Sequence, residues 1–190
     1  MDTDFSIELG KEDPVLDLPW KDPTGRLAYV DLKRHPDLIF QVEEAVKFSE
    51  LDEFLRMANS ARSVVESAKC DTWTTTELSA EEDIYDASHK FASYIDLVFS
   101  HSDERWSFDQ HERFAKRWTE LLRRAPELSA SAEICVRRCF FGEEANVRDG
   151  FYFTVYINGY GSNEEDSRKS WSIGMKLAAT AILQLSASPG

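Results

Sequence analysis

Residues Phe151–Asn158 alternate two chemistries. Phe151, Phe153, Val155 and Ile157 make one phase; Tyr152, Thr154, Tyr156 and Asn158 make the other. A period of two predicts a strand with one face in a core. The second phase is more aromatic than solubility requires. Tyrosine gives a large, rigid contact area with a polar tip, which suits recognition of a ligand or a protein surface. The equivalent phase of Phe91–Phe99 adds Tyr94 and Asp96, and that of Ala132–Phe141 adds Cys135 and Arg137. Tyr94, Asp96, Arg137, Tyr152 and Tyr156 are therefore the candidate binding residues, with Arg137 as an anchor for an anionic group. The competing expectation is that the N-terminal stretch around Trp20, or the first helix, seals this face.

Other chemistry is weaker. Gly159-Tyr160-Gly161 stands where a dinucleotide-binding glycine loop would, between a strand and a helix, but Glu164 holds the third glycine position. Glu165 and Asp166 already complement the helix dipole and repel a pyrophosphate, so the segment reads as a tight turn and a cap. His35, His89, His101 and His111 form no HxH, HxxxH or HExxH pattern, and no metal or cofactor is expected. No GxSxG or SxxK marks a nucleophile. Arg113, Lys116, Arg117 and Arg124 share one face of a helix, and a phosphate or acidic ligand held by Arg113, Arg117 and Arg137 is a third, weaker option. A solvated helix face is the plainer reading of that row.

Composition limits the partners. The 190 residues carry 35 acids against 22 bases, a net charge of -13, so nucleic acid and anionic membrane surfaces are repelled. Only residues 105–142 run basic, with eight bases against five acids. Apolar residues at 42% and aromatics at 12% predict a packed globule. Three cysteines, an odd count, with Cys135 and Cys139 about 13 Å apart along one strand, predict free thiols. No basic start and apolar run marks a secretory signal, and no stretch is long enough to span a bilayer. These features predict a cytoplasmic protein.

The elements that must position the candidate residues follow from period and punctuation. Residues 1–25, acidic and carrying Pro14, Pro19 and Pro23, read as an extended arm whose Trp20 docks on a single domain over 26–190. A strand is predicted at Arg26–Leu32, then a helix from Pro36 that breaks near Ser49 and restarts. Cys70–Leu78 reads as a Thr-rich strand, Phe91–Phe99 as a strand, and Ser107 with Gln110 caps a helix that Pro126 stops. Ala132–Phe141 and Phe151–Asn158 pair across the loop at Gly142–Gly150, and Ser162 with Glu165 opens the last helix.

The order β-α-β-β-α-β-β-α predicts an α+β fold, a mostly antiparallel sheet with helices on one face. Its second half reads as a repeated ββα unit, with Trp118 and Trp171 buried against the strand pair before each helix. The alternative is a ferredoxin-like plait with a C-terminal βα extension, a match of element order that carries no function. The functional expectation is a non-enzymatic domain binding a small molecule or a protein through the Tyr-rich face, which could also join copies of the chain. The alternative is a small enzyme using carboxylate and histidine acid–base chemistry in a cleft.

Overall fold

A computed structural model describes residues 1–142 and 147–187 of the chain. The alternating segments assemble one open six-stranded sheet: β1 (Asp2–Glu8), β2 (Val15–Leu18), β3 (Val65–Thr75), β4 (His89–Phe99), β5 (Ala130–Phe141) and β6 (Arg148–Gly161). The order across the sheet is β1-β5-β6-β4-β3, with β2 continuing the edge beside β5. The pairs β3–β4, β4–β6 and β5–β6 are antiparallel; β1 and β2 run parallel to β5. The fold is α+β.

The helices are α1 (Glu43–Lys47), α2 (Ser49–Ala58), α3 (Ser102–Arg105), α4 (Phe108–Arg123) and α5 (Glu164–Ala187). Phe54, Trp118, Trp171 and Ile182 from the longer helices meet Phe91, Ile95, Ile134 and Phe153 of the sheet in one core. Ser107 accepts the Gln110 amide and caps α4. Asn163, not Ser162, accepts the Asp166 amide at the start of α5. Gly159 and Gly161 belong to β6 and not to a turn. A Cβ on Gly159 would lie 2.2 Å from the Ser167 carbonyl and the Trp171 amide, so the missing side chain lets α5 rest on the strand backbone.

Two sequence expectations give way. No strand forms at Arg26–Leu32. The Asp22 carboxylate takes the amides of Thr24 and Leu27, and Gly25 adopts φ +71°, so local turn chemistry wins over the ladder. The strands lie earlier, inside the expected arm, where Thr3, Phe5 and Ile7 alternate with Asp2, Asp4 and Ser6 and β1 pairs with β5 over its full length. β6 therefore sits between β4 and β5 at the sheet centre, and the N-terminal strands take the edge.

The repeated ββα unit is the second. Trp118 and Trp171 are both fully buried, but α4 lies over β1, β5 and β6 rather than over the β3–β4 pair before it. The chain entering β5 must pass beyond β6, which carries the helix to the far side. Asp149 and Gly150, expected in a hairpin turn, are ladder positions opposite Phe140 and Cys139. Part of that loop reading falls on 143–146, outside the described residues.

Candidate functional site

Register decides which side chains share the helix-free face. Tyr94 lies opposite Tyr156, Asp96 opposite Thr154, and Arg137 opposite Tyr152. All five candidate residues thus stand on one face, as phase predicts. They do not share one environment.

The end bearing Tyr152 is sealed. Leu16 and Leu18 of β2 pack with Ala68, Val98, Cys139 and Tyr152, and Trp20, Tyr29 and Phe141 close around them. The Trp20 indole donates to the Ala68 carbonyl at 2.5 Å and fixes the cover. Tyr152 keeps 3% of its surface and burial pushes its hydroxyl up to about 12. Tyr152 is core, not recognition surface.

Beneath the middle of the face runs a buried polar chain. Arg137 Nε donates to Glu8 Oε2 at 2.7 Å, and its Nη1 donates to Thr154 Oγ1 at 2.9 Å and to Tyr156 Oη at 3.3 Å. Thr154 Oγ1 in turn donates to Asp96 Oδ1 at 2.6 Å. With Arg137 7% and Asp96 6% exposed, these groups hold one another. Arg137 is thus spent inside the protein and is not a free anchor for an anion. Burial pushes the Asp96 carboxyl up to about 6, against the pull of the Thr154 hydroxyl and of Lys69 and Arg137.

The remainder of the face is open. Trp73, Tyr94 and Tyr156 form a row across β3, β4 and β6, with neighbouring ring centroids 6.4 Å apart. Trp73 is 39% exposed, and Tyr94 and Tyr156 are half-buried. Lys69 Nζ stands 5.2 Å from the Trp20 ring and 5.6 Å from Tyr94, and the Arg137 guanidinium lies 5.6 Å from Tyr156. At the β3 side the row passes into a cleft of about 700 Å³ between β3, the start of α1 and the 20–32 segment. Tyr94, Lys69 and Asp71 belong to both face and cleft; Trp20, Tyr29 and Leu55 supply apolar wall.

Three residues of this site escape a reading by candidate phase: Trp73, Lys69 and Glu8. Trp73 was within reach, since it stands two residues from Asp71 in a strand that was expected. Lys69 precedes the expected strand start, and the ladder slips between Ser67 and Lys69. Glu8 comes from β1, within the acidic N-terminal stretch whose charge masks its alternation.

The other candidate constellations do not converge. Arg113 and Arg117 are exposed on α4, across the sheet from Arg137. His35 and His101 are exposed, and His89 pairs in register with Gly161 at the sheet end. His111 lies on the helix side, 4.7 Å from Phe99 and from Phe153, and burial pulls it down to about 4. Among the described residues, Glu8, Glu133 and Cys135 bring possible metal-ligand atoms within 4.8 Å of one another. Each is already engaged: Glu8 by Arg137, and Glu133 and Cys135 by the Ser6 hydroxyl at 3.0 and 3.1 Å. Burial also pushes the Cys135 thiol up to about 12, which opposes the thiolate a metal needs. Cys70, Cys135 and Cys139 are all unpaired.

Among the described residues no helix is long and apolar enough to cross a membrane. No protein-family model, curated protein or solved structure matches the chain.

Proposed function

We propose that the protein is a non-enzymatic binding domain whose open sheet face and adjoining cleft receive a small molecule or a segment of a partner protein. The supporting observation is continuity: the row Trp73, Tyr94 and Tyr156 runs into a cleft of about 700 Å³ through Tyr94 and Lys69. Pockets that hold organic ligands have this size, and here the wall of Trp20, Tyr29 and Leu55 is set among charged side chains of both signs, Arg26, Glu44, Lys69 and Asp71 among them. The rings offer stacking to a flat or elongated apolar body, and Asp71 and Lys69 offer polar contacts at its edge.

Charge narrows the class. Glu133 and Asp71 are exposed around the face, where Arg137 is held by Glu8 and Asp4 by Arg123, and the cleft adds the bases Lys21, Arg26 and Lys69 to the acids Asp22, Glu43 and Glu44. A neutral or zwitterionic ligand fits this mixed field, and the net charge of -13 repels nucleic acid and anionic membrane. The free thiols fit a cytoplasmic, reducing setting.

The acid–base alternative has one specific observation in its favour, the Asp96 carboxyl that burial pushes up to about 6, in register with the cleft residue Lys69. It calls on Asp96 alone, since the histidines lie elsewhere.

A thermal-shift screen of a metabolite library tests the binding reading, with two-dimensional NMR to map any hit. Hits should move resonances of Trp73, Tyr94 and Tyr156 and should vanish in Tyr94→Ala and Tyr156→Ala. Hits that map to the helix side, or that survive both substitutions, overturn it.

A further inference from the structure

Strand β3 is a sheet edge, paired with β4 alone. Its two halves are treated differently. In the first, Lys33 Nζ caps the Val65 carbonyl at 3.0 Å, Asn59 Oδ1 takes the Ser67 amide at 3.0 Å, and the Trp20 indole caps the Ala68 carbonyl. The ladder irregularity between Ser67 and Lys69 adds a further obstacle. Natural sheets blunt their edges with such devices, because a bare edge is a template for another strand.

The second half, Cys70–Thr75, has none of them. Among the described residues, the one hydrogen bond to its main chain outside the ladder is local: Thr72 N–H donates to the carboxylate of its own neighbour Asp71 at 2.7 Å. That amide therefore points outward, and with a period of two Thr74 presents its main chain the same way. Half of the stretch is threonine, Asp71 is its one charge, and it carries the exposed Trp73.

We propose that this bare half pairs with the same half of a second copy of the chain, antiparallel about Trp73. The register is self-complementary. Outward Thr72 falls opposite outward Thr74, where the two can exchange both main-chain hydrogen bonds. Trp73 meets its own counterpart on the open face. Asp71 faces Thr75, so no like charges meet. Lys69 falls opposite Glu77, and neither makes a salt bridge among the described residues of its own copy. A two-fold contact of this kind is isologous and closed, so it stops at the dimer. The repulsion between two chains of net charge -13 acts at longer range and is screened at physiological salt. The aromatic row of one copy then continues into that of the other.

Sedimentation velocity of the full chain over a range of concentrations tests this, with circular dichroism melts to verify folding. The wild type should be a dimer that tightens as salt rises from low to physiological strength. Trp73→Lys places a charge at the two-fold and should weaken association by about tenfold or more. Glu77→Lys, on an exposed residue, should weaken it too, and Lys69→Glu combined with Glu77→Lys should restore it. A wild type that stays monomeric at every concentration overturns the proposal, as does a dimer indifferent to Trp73→Lys or a double exchange that fails to rescue. Tyr156→Ala, which tests ligand binding at the face, should leave the dimer intact, so the two readings fail separately.

Discussion

Asp96 and Arg137 are joined through a hydroxyl and not by direct contact: Thr154 Oγ1 accepts from the guanidinium at 2.9 Å and donates to the carboxylate at 2.6 Å. One side chain thus satisfies a buried cation and a buried acid at once. Thr154→Val keeps the shape and removes both bonds. It should destabilise the protein by about 1–3 kcal/mol. It should also lift Asp96 above its value of about 6, because the hydroxyl holds the carboxyl down. An NMR titration of the Asp96 carboxyl checks this; an unmoved midpoint shows that the hydroxyl does not set it.

The same acid and His111 respond to pH in opposite directions. His111 is pulled down to about 4 from an ordinary 6.5, so the unfolded chain takes its proton first. The stability it supports is present above about pH 6.5 and is lost as pH falls toward 4. Asp96 is pushed up to about 6 from an ordinary 3.8, so the folded chain takes its proton first and gains stability as pH falls from 6 to 4. Each effect is worth about 3 kcal/mol over its window, and in the wild type they offset. Asp96→Asn should therefore expose a loss of about 3 kcal/mol between pH 7 and 4 in urea titrations. A variant whose pH profile runs parallel to that of the wild type refutes the pairing.

Two tyrosines four residues apart on one strand should behave differently. Tyr152 is sealed under Leu16, Leu18 and Trp20, and Tyr152→Ala should cost about 3–5 kcal/mol, the range of large aromatic truncations in a core. Tyr156 is half-buried and shares one bond of 3.3 Å with Arg137, so Tyr156→Ala should cost about 1 kcal/mol. Denaturant midpoints of the two variants, compared side by side, decide whether the cover is where we place it.

At Gly159 a methyl group would collide with backbone, which cannot turn aside. Gly159→Ala should cost about 3 kcal/mol or more, read as a lowered melting temperature. A neutral substitution there would mean that α5 does not rest on β6.

Much of this was legible in the sequence. Alternation placed β5 and β6, β-branched and aromatic content decided β4, and phase put Tyr94, Asp96, Arg137, Tyr152 and Tyr156 on one face. Trp20 docks as the end of the apolar run Val15, Leu16, Leu18 and Trp20 implied. What phase cannot say is how far along a face a cover reaches, so Tyr152 and Tyr156 looked equivalent. Nor does it show partners across the chain: Arg137 reads as a free anchor until Glu8 is found beside it. β1 alternates correctly, but its acids made it resemble a solvated tail. At Arg26–Leu32 the fault was the reverse, since apolar residues hid the turn that Asp22 imposes.

The parallel pairing of β1 with β5 has a consequence for synthesis. Glu8 reaches Arg137 across 129 residues of chain, so β1 is synthesised well before the strand it pairs with. During translation β1 and β2 have no ladder to join, and Leu16 and Leu18 have no Cys139 or Tyr152 to cover until β5 and β6 have formed. Contacts this distant in sequence slow folding and lengthen the exposure of apolar surface. Asp2, Asp4 and Glu8 alternate through β1 and put charge on the strand that waits, the device by which unpaired strands resist joining the wrong edge.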